Sequence, residues 1–219
     1  MKKRFIIASI LLVILSTYSP YEKLNIKSIF KIKKIIIENN YILEEEDIKN
    51  ELSFLYDTNI FFITPLNIKD EISKNSFIES YEIKKIYPQT IKIRIFEKNP
   101  IVLIQNKKEK KFFTEKGEIA KYFETEKLQN LPIVFGDEKS FKIFYSEIKK
   151  INFPVDFIKK FYLFNSNRWD LTTKENQTIK LPIKNYISSL ENFFQIKDQY
   201  NFRQYKSFDY RINNQLILK

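Results

Sequence analysis

The side chains that most often carry out catalysis are missing from this sequence. None of its 219 residues is Cys or His, which removes the thiol nucleophile and the commonest general base and metal ligand. The only two glycines, Gly117 and Gly136, are 19 positions apart, so no glycine-rich loop can form around a phosphate group. A hydrolase with a carboxylate pair is an alternative, but no pair stands out. We therefore expect no enzyme, no cofactor, no metal and no small-molecule substrate.

The net charge is strongly positive. Lys and Arg number 38 against 27 Asp and Glu, giving +11, and such an excess is typical of proteins that bind nucleic acid or anionic membrane. However, 33 of the 38 are Lys and only 5 are Arg, whereas base readout favours the bidentate Arg. Ile, Asn, Phe and Tyr are also abundant, and A/T-rich codons explain all of these preferences. We therefore expect no nucleic-acid partner.

A long apolar run follows the basic N-terminal residues 1–4. The uncharged stretch from Phe5 to Tyr21 has 17 residues, and a helix of that length covers about 25 Å, slightly less than a bilayer's hydrocarbon core. We expect an uncleaved anchor over 5–21, with residues 1–4 in the cytoplasm because Lys and Arg favour that side. The alternative is a signal peptide cleaved near Thr17 and Ser19.

The stretch Tyr81–Pro100 predicts a β-hairpin. Isoleucines occupy every second position from 91 to 95 with cations between them, as in a strand with one buried face. Pro88 marks the turn because it lacks an amide hydrogen, and Pro100 suits the first residue of the next strand. The cations Lys84, Lys85, Lys92 and Arg94 are interpreted as a solvated face, with acidic lipid or a partner's carboxylates as the alternative.

The elements before this hairpin complete an α+β arrangement. After a spacer over 22–30, Ile32–Glu38 is typical of a strand that ends at Asn39-Asn40. Glu44–Leu55 predicts a helix with one apolar stripe, and Asn67 predicts the cap of a second, short helix. The order over 31–99 is therefore β-α-α-β-β.

Beyond Pro100 the pattern predicts a mainly antiparallel β-domain with flanking helices. The predicted strands are 101–105, 111–114, 118–122, 131–136, 157–164, 168–173 and 178–183. Asp137 is expected to cap one helix, and 184–196 is expected to form another that buries Ile187, Leu190 and Phe194. Trp169 is interpreted as a core residue, and Ser207–Lys219 as a final extended segment.

Several short motifs, in this order, resemble the FtsQ/DivIB family of bacterial division proteins. They are Asn39-Asn40, Ile86-Tyr87-Pro88 with 91–95, Glu97–Pro100, Thr114–Ile119, Leu131–Gly136, Arg168–Leu171, Ile179–Pro182 and Asp209–Arg211. The first glycine and the turn Trp of the family pattern are replaced here, and Ile212 stands where the family has Tyr.

The resemblance implies a single-pass inner-membrane protein with a cytoplasmic end (1–4), an anchor (5–21), a POTRA domain (31–99) and a periplasmic β-domain (100–219). It implies a non-enzymatic scaffold at the division septum that binds FtsB and FtsL and couples early to late division proteins for septal wall synthesis. The alternative is a secreted POTRA-like chaperone or assembly factor, released by signal cleavage.

The resemblance also implies that Asp209–Leu216 offers a free strand edge to FtsB, which would bind by adding a strand. From the residues alone, an ordinary interior strand is the alternative. The predicted partner-binding residues are Tyr210, Arg211, Ile212, Asn213, Asn214, Gln215 and Leu216, while Asp209 is expected to be structural.

Overall fold

The computed structural model describes residues 2–17, 30–106, 109–212 and 215–219. The chain divides into two compact units. The first comprises Met1–Asn75 and Ser80–Phe96, and the second Ser76–Glu79 and Glu97–Lys219. The domain bounds given above, 31–99 and 100–219, stay a prediction.

Helix α1 (Lys2–Thr17) has 16 residues and an almost uniformly apolar sequence after its first turn. Its large side chains from Phe5 to Leu15 are exposed. Among the described residues, no helix has both the length and the apolar character that crossing a membrane requires. The last four positions of the predicted anchor, 18–21, lie outside the described residues, as does the spacer up to residue 29.

The rest of the first unit has the predicted β-α-α-β-β order. Its sheet has the order β1-β3-β2, with β1 parallel to β3. A short 3-10 helix, Ser53–Asp57, follows the first of its two helices. The elements are β1 (Lys34–Glu38), α2 (Glu45–Glu51), α3 (Pro65–Ile72), β2 (Ile78–Ile86) and β3 (Thr90–Glu97).

The alternation in β3 sets the core of this unit. Ile91, Ile93 and Ile95 are fully buried, as the two-residue period predicts. On the other face, Lys92 Nζ lies 2.7 Å from a carboxylate oxygen of Glu38, and the Arg94 guanidinium lies 3.4 Å from that of Glu82. These two cations are therefore part of ion pairs within the unit.

Asparagines shape the ends of two elements in the first unit. Asn39 has a φ of 68° where β1 ends, and its Nδ2 donates to the carbonyl of Ile95 at 2.8 Å. The predicted cap of α3 was wrong by three positions. Thr64 is the N-cap, because Pro65 suits the first helical position. Asn67 lies inside the first turn, and its Oδ1 accepts from the Thr64 backbone N–H at 2.8 Å.

The second unit is built on one large sheet. Its strands are β4 (Pro100–Gln105), β5 (Lys110–Thr114), β6 (Ile119–Lys121), β7 (Ile133–Phe135), β8 (Ile158–Leu163), β9 (Trp169–Thr173), β10 (Thr178–Lys180), β11 (Ser207–Asp209) and β12 (Ile217–Leu218). Among the described residues their order is β12-β11-β10-β9-β8-β7-β4-β5-β6. Five neighbouring pairs are antiparallel, and three (β4–β7, β7–β8 and β10–β11) are parallel.

Helices α4 (Glu138–Lys150) and α5 (Tyr186–Ile196) pack on this sheet and form an aromatic core. Asp137 caps α4 as predicted, accepting from the Ser140 backbone N–H at 2.9 Å. Trp169 is buried, with its ring centroid 4.9 Å from that of Phe144. On α5 the fully buried phenylalanine is Phe193, whereas the predicted Phe194 is only partly buried.

Gly136 directly follows β7 at a point where the backbone passes close to the core. A Cβ added there would lie 2.9 Å from Leu163 Cβ and 3.5 Å from the Trp169 ring. A larger residue would force the neighbouring strand to shift, so the sequence uses one of its two glycines here.

Candidate partner-binding edge of the sheet

The C-terminal end of the chain forms a hairpin at one edge of the larger sheet. β11 pairs in parallel with β10 through Ile179 and Phe208, and it pairs antiparallel with β12, which places Leu218 opposite Phe208. β11 is therefore flanked on both sides. The expectation that Asp209–Leu216 forms one free edge strand is wrong, because the chain turns back after β11 and covers that edge itself.

At this end of the sheet the free edge belongs to β12, while β6 is the outer strand at the other end. In the described part of the chain no strand pairs with the outer side of β12. Lys219 and Ser207 exchange both backbone hydrogen bonds, at 3.0 and 3.1 Å. In an antiparallel pair such residues alternate with residues whose N–H and C=O point away from the partner strand. The N–H and C=O of Leu218 therefore point outward, to the open side.

The connection from β11 to β12 carries the residues predicted to bind a partner. Gln215 donates its backbone N–H to the carbonyl of Ile212 at 3.2 Å, which closes the turn. Ile212 and Gln215 are exposed, and Leu216 packs partly against the core. Asn213 and Asn214 lie outside the described residues. The partner-binding role of the whole set stays a prediction.

Tyr210 lies beneath this edge rather than on its surface. Its ring belongs to the core, its backbone N–H donates to the Lys180 carbonyl at 2.9 Å, and its hydroxyl donates to Asn192 Oδ1 at 3.0 Å. Burial raises the pKa of the Tyr210 hydroxyl well above its ordinary value. Tyr210 thus holds the end of β11 against α5, where it can position the edge but presents little surface.

An ion pair shapes the start of the turn. The guanidinium of Arg211 donates to both carboxylate oxygens of Asp209, at 2.8 Å from Nε and 2.6 Å from Nη2. Asp209 also accepts from the backbone N–H of Arg211 at 3.1 Å. The Arg211 hydrogen bonds lower the pKa of the Asp209 carboxyl. The Asp209 carboxylate is therefore engaged within the chain, and its structural role stays a prediction; Arg211 is engaged in the same pair while its side chain stays partly exposed.

Sequence reasoning missed the residues of the edge itself, Ile217–Lys219. The signal that could have found them is the pair Asn213-Asn214 between two apolar stretches. Adjacent asparagines favour tight turns because they tolerate left-handed backbone. A turn there would have predicted a hairpin whose second strand is the last one.

This edge presents main-chain donors and acceptors. In residues 2–17, 30–106, 109–212 and 215–219, no group of three or more Cys, His, Asp or Glu is placed to hold a metal ion. The arrangement can offer main-chain donors and acceptors to another extended chain, flanked by the exposed Ile212 and Ile217. The described chain thus combines a β-α-α-β-β unit with a mixed sheet whose last strand is an outer strand.

Comparisons with known proteins identify the family of this chain. The model of the FtsQ-type POTRA domain matches residues 30–98, and the model of the C-terminal region of cell division protein FtsQ/DivIB matches residues 102–211, half of the chain. The chain belongs to the FtsQ/DivIB family of cell division proteins.

Curated relatives agree over most of the length. The chain is 27% identical over 195 residues to cell division protein FtsQ of Rickettsia bellii, covering 87% of this chain and 72% of that protein. The FtsQ of Rickettsia felis has the same identity and coverage. The FtsQ of Rhizobium meliloti is 21% identical over 194 residues, covering 87% and 63%.

Proposed function

We propose that this chain is a non-enzymatic scaffold of the division machinery that binds FtsB, itself paired with FtsL, by adding a strand of FtsB to β12. The observation that supports this most directly is the outer side of β12, which pairs with no other strand among the described residues and toward which Leu218 directs its N–H and C=O. Main-chain hydrogen bonds would supply affinity. The side chains of Ile217 and Ile212, both exposed, would supply selectivity.

The proposed contact with FtsB is therefore on β12 and not on the predicted segment Asp209–Leu216. Arg211, Ile212 and Gln215 lie in the turn that leads into β12, so they flank an added strand rather than pair with it. An unprotected strand edge invites unwanted association. A bound partner strand removes that risk, which is consistent with an edge kept for use.

We further propose that residues 5–21 anchor the chain in the inner membrane, with the N-terminal end in the cytoplasm and both folded units in the periplasm at the septum. The support is the exposed apolar surface of α1, which has no buried large side chain from Phe5 to Leu15. Basic residues precede this run, which favours a cytoplasmic N terminus.

Co-purification of the full chain with FtsB and FtsL tests the edge. Replacing Leu218 with Pro removes the outward N–H, and proline is tolerated where an edge N–H faces solvent. The matched control is Leu218→Ala, which also loses the side chain but keeps the N–H. We expect Leu218→Pro to bind at least about tenfold more weakly than Leu218→Ala, in line with the loss of a main-chain hydrogen bond in a shielded edge.

Equal binding by the two variants would contradict docking on β12. Absence of any complex with the unmodified chain would contradict the scaffold proposal itself. Trp169 lies in the core of the same unit, so unchanged Trp fluorescence in both variants would show that they remain folded.

A further inference from the structure

The first unit exposes a cluster of large apolar side chains that its own core does not use. We call Phe30, Phe61, Phe62, Ile86 and Tyr87 the apolar patch. The ring of Phe61 lies 4.9 Å from that of Phe30 and stacks on Tyr87 at 5.1 Å. All but Phe30 are substantially exposed, Phe62 at 72%. Exposed aromatic clusters of this kind mark interaction sites.

Hydrogen bonds hold the loop that displays this patch. The backbone N–H groups of Phe61 and Phe62 donate to the side chain and the carbonyl of Asn59, at 2.9 and 3.0 Å. Lys85 Nζ reaches the carbonyl of Phe61 at 3.4 Å. The neighbours Ile60 and Ile63 are buried. The same loop thus fills the core with two residues and presents two phenylalanines to the outside.

The patch lies at one end of the sheet, together with lysines. β1 and β3 are parallel and start side by side, with Lys34 opposite Thr90. Phe30 therefore lies at the same end as Tyr87, in the turn that precedes β3. Lys31 and Lys33 are exposed at the start of β1, and Lys84 is exposed near the end of β2. The Asp57 carboxylate lies 3.9 Å from Lys31 Nζ.

A short stretch of chain connects α1 to this end of the unit. Thirteen peptide links separate Thr17, the last residue of α1, from Phe30, and they span at most about 45 Å when fully extended. If α1 belongs to a membrane anchor, Phe30 is the first described residue after it. The tether then holds the patch at a high effective concentration near the bilayer, so a weak affinity for each side chain is sufficient.

We propose that the apolar patch docks on the outer surface of the membrane, with its aromatic rings at headgroup level and the adjacent lysines against anionic lipid phosphates. Tyr87 suits this interface because its ring joins an apolar body to a polar hydroxyl, and the phenylalanines would bury apolar surface below the headgroups. Lysines near the surface add attraction to anionic lipid. The inference rests on the proposed anchor. It specifies which surface of the first unit faces the membrane.

The absence of cysteine in the sequence allows a direct test with single nitroxide labels. Phe62→Cys places the label on the patch, and Tyr41→Cys is the matched control. Tyr41 is 74% exposed and follows the opposite end of β1. The full chain is reconstituted in vesicles of phosphatidylethanolamine with phosphatidylglycerol. Flotation then separates vesicle-bound from unbound protein, and accessibility to oxygen and to a water-soluble nickel chelate is measured for each label.

We expect the label at 62 to be more accessible to oxygen than to nickel, at a depth of about 5–10 Å below the headgroups, and the label at 41 to show the reverse. If the protein floats but both labels are equally accessible to nickel, the patch faces water and the inference is overturned; a protein ligand then becomes the better explanation of the patch. If the protein does not float with the vesicles, the anchor and this inference both fail, while docking on β12 remains testable by co-purification.

A second label position protects the test against a local effect of the substitution. Ile86→Cys labels the other side of the patch, on β2, without altering Phe61 or Phe62. We expect the label at 86 to share the oxygen preference of the label at 62. Opposite behaviour at 62 and 86 would overturn docking by the patch as one surface.

Discussion

At the scale of single residues, the ion pair between Asp209 and Arg211 holds the entrance to the C-terminal hairpin. The two carboxylate oxygens of Asp209 accept three hydrogen bonds from the Arg211 guanidinium and one from the Arg211 backbone N–H. The carboxylate is largely buried whereas the guanidinium is partly exposed. Solvent therefore weakens the pair but does not remove it.

We predict that Asp209→Asn lowers the free energy of unfolding by about 1 kcal/mol near neutral pH. The pKa of Asp209 is depressed below its ordinary value of 3.8. The charged carboxylate therefore stabilises the fold above that pH, and the contribution is lost as the pH falls through the lower folded-state pKa. Urea unfolding of the wild type and the variant at neutral and at acidic pH measures both effects.

The exposed Asp156 provides the control for this substitution. Asp156→Asn should change stability by much less than Asp209→Asn at neutral pH. A difference between wild type and Asp209→Asn that persists unchanged in strong acid would contradict the assigned role of the charge.

At the scale of elements, the sequence predicts the features that depend on the local spacing of apolar residues and on the residues at turns and caps. The alternating isoleucines of β3, the Asp137 cap and the buried Trp169 are all confirmed. The cap of α3 was misplaced because a threonine three residues earlier competes for the same role. Phe194 was preferred to Phe193 because both positions fall near the apolar stripe of α5, and only packing against the sheet decides which is buried.

The candidate site was harder to predict than the elements that support it. Whether β11 is an edge depends on β12 folding back beside it, and β12 has only two residues. So short a strand has no detectable period. The parallel pairing of β7 with β4 and β8 likewise joins distant segments and leaves no local signature. Sequence therefore located the edge region but not the strand that forms it.

The left-handed end of β1 gives a prediction for an element boundary. Replacing Asn39 with Val forces a β-branched residue to adopt a φ of 68°, whereas Asn39→Gly keeps that backbone free of strain and loses only the side-chain bond to Ile95. We expect Asn39→Val to destabilise the first unit by about 1–2 kcal/mol more than Asn39→Gly. Hydrogen exchange of the β1 amides compares the two variants.

Equal exchange rates in the two variants would show that the backbone at Asn39 carries no strain penalty. Faster exchange in Asn39→Gly than in Asn39→Val would contradict the assignment outright.

At the scale of the whole molecule, the chain combines an apolar N-terminal helix, a β-α-α-β-β unit and a larger mixed sheet in which β12 is one of the two outer strands. No part of this arrangement needs a cofactor to perform the proposed role. The apolar patch would hold the first unit at the membrane, and β12 would capture a partner strand. The proposed function then depends on where the membrane holds the protein and on main-chain hydrogen bonds between β12 and the partner strand.

Intact-mass measurement decides between the anchored protein and the secreted alternative. We predict that the mass of the protein isolated from the membrane fraction still includes residues 1–21, since an uncleaved anchor retains its N-terminal residues. A shorter product in the soluble periplasmic fraction, cut near Ser19, would favour the secreted chaperone or assembly factor instead.

Hydrogen exchange at the C-terminal hairpin, with and without FtsB and FtsL, tests the central claim most directly. Because the Leu218 N–H points away from β11, it should exchange readily in the free protein and become protected in the complex. Amides of β11, which already bond to β10 and β12, should change far less. A stable complex in which the Leu218 amide exchanges as fast as before would contradict strand addition at β12.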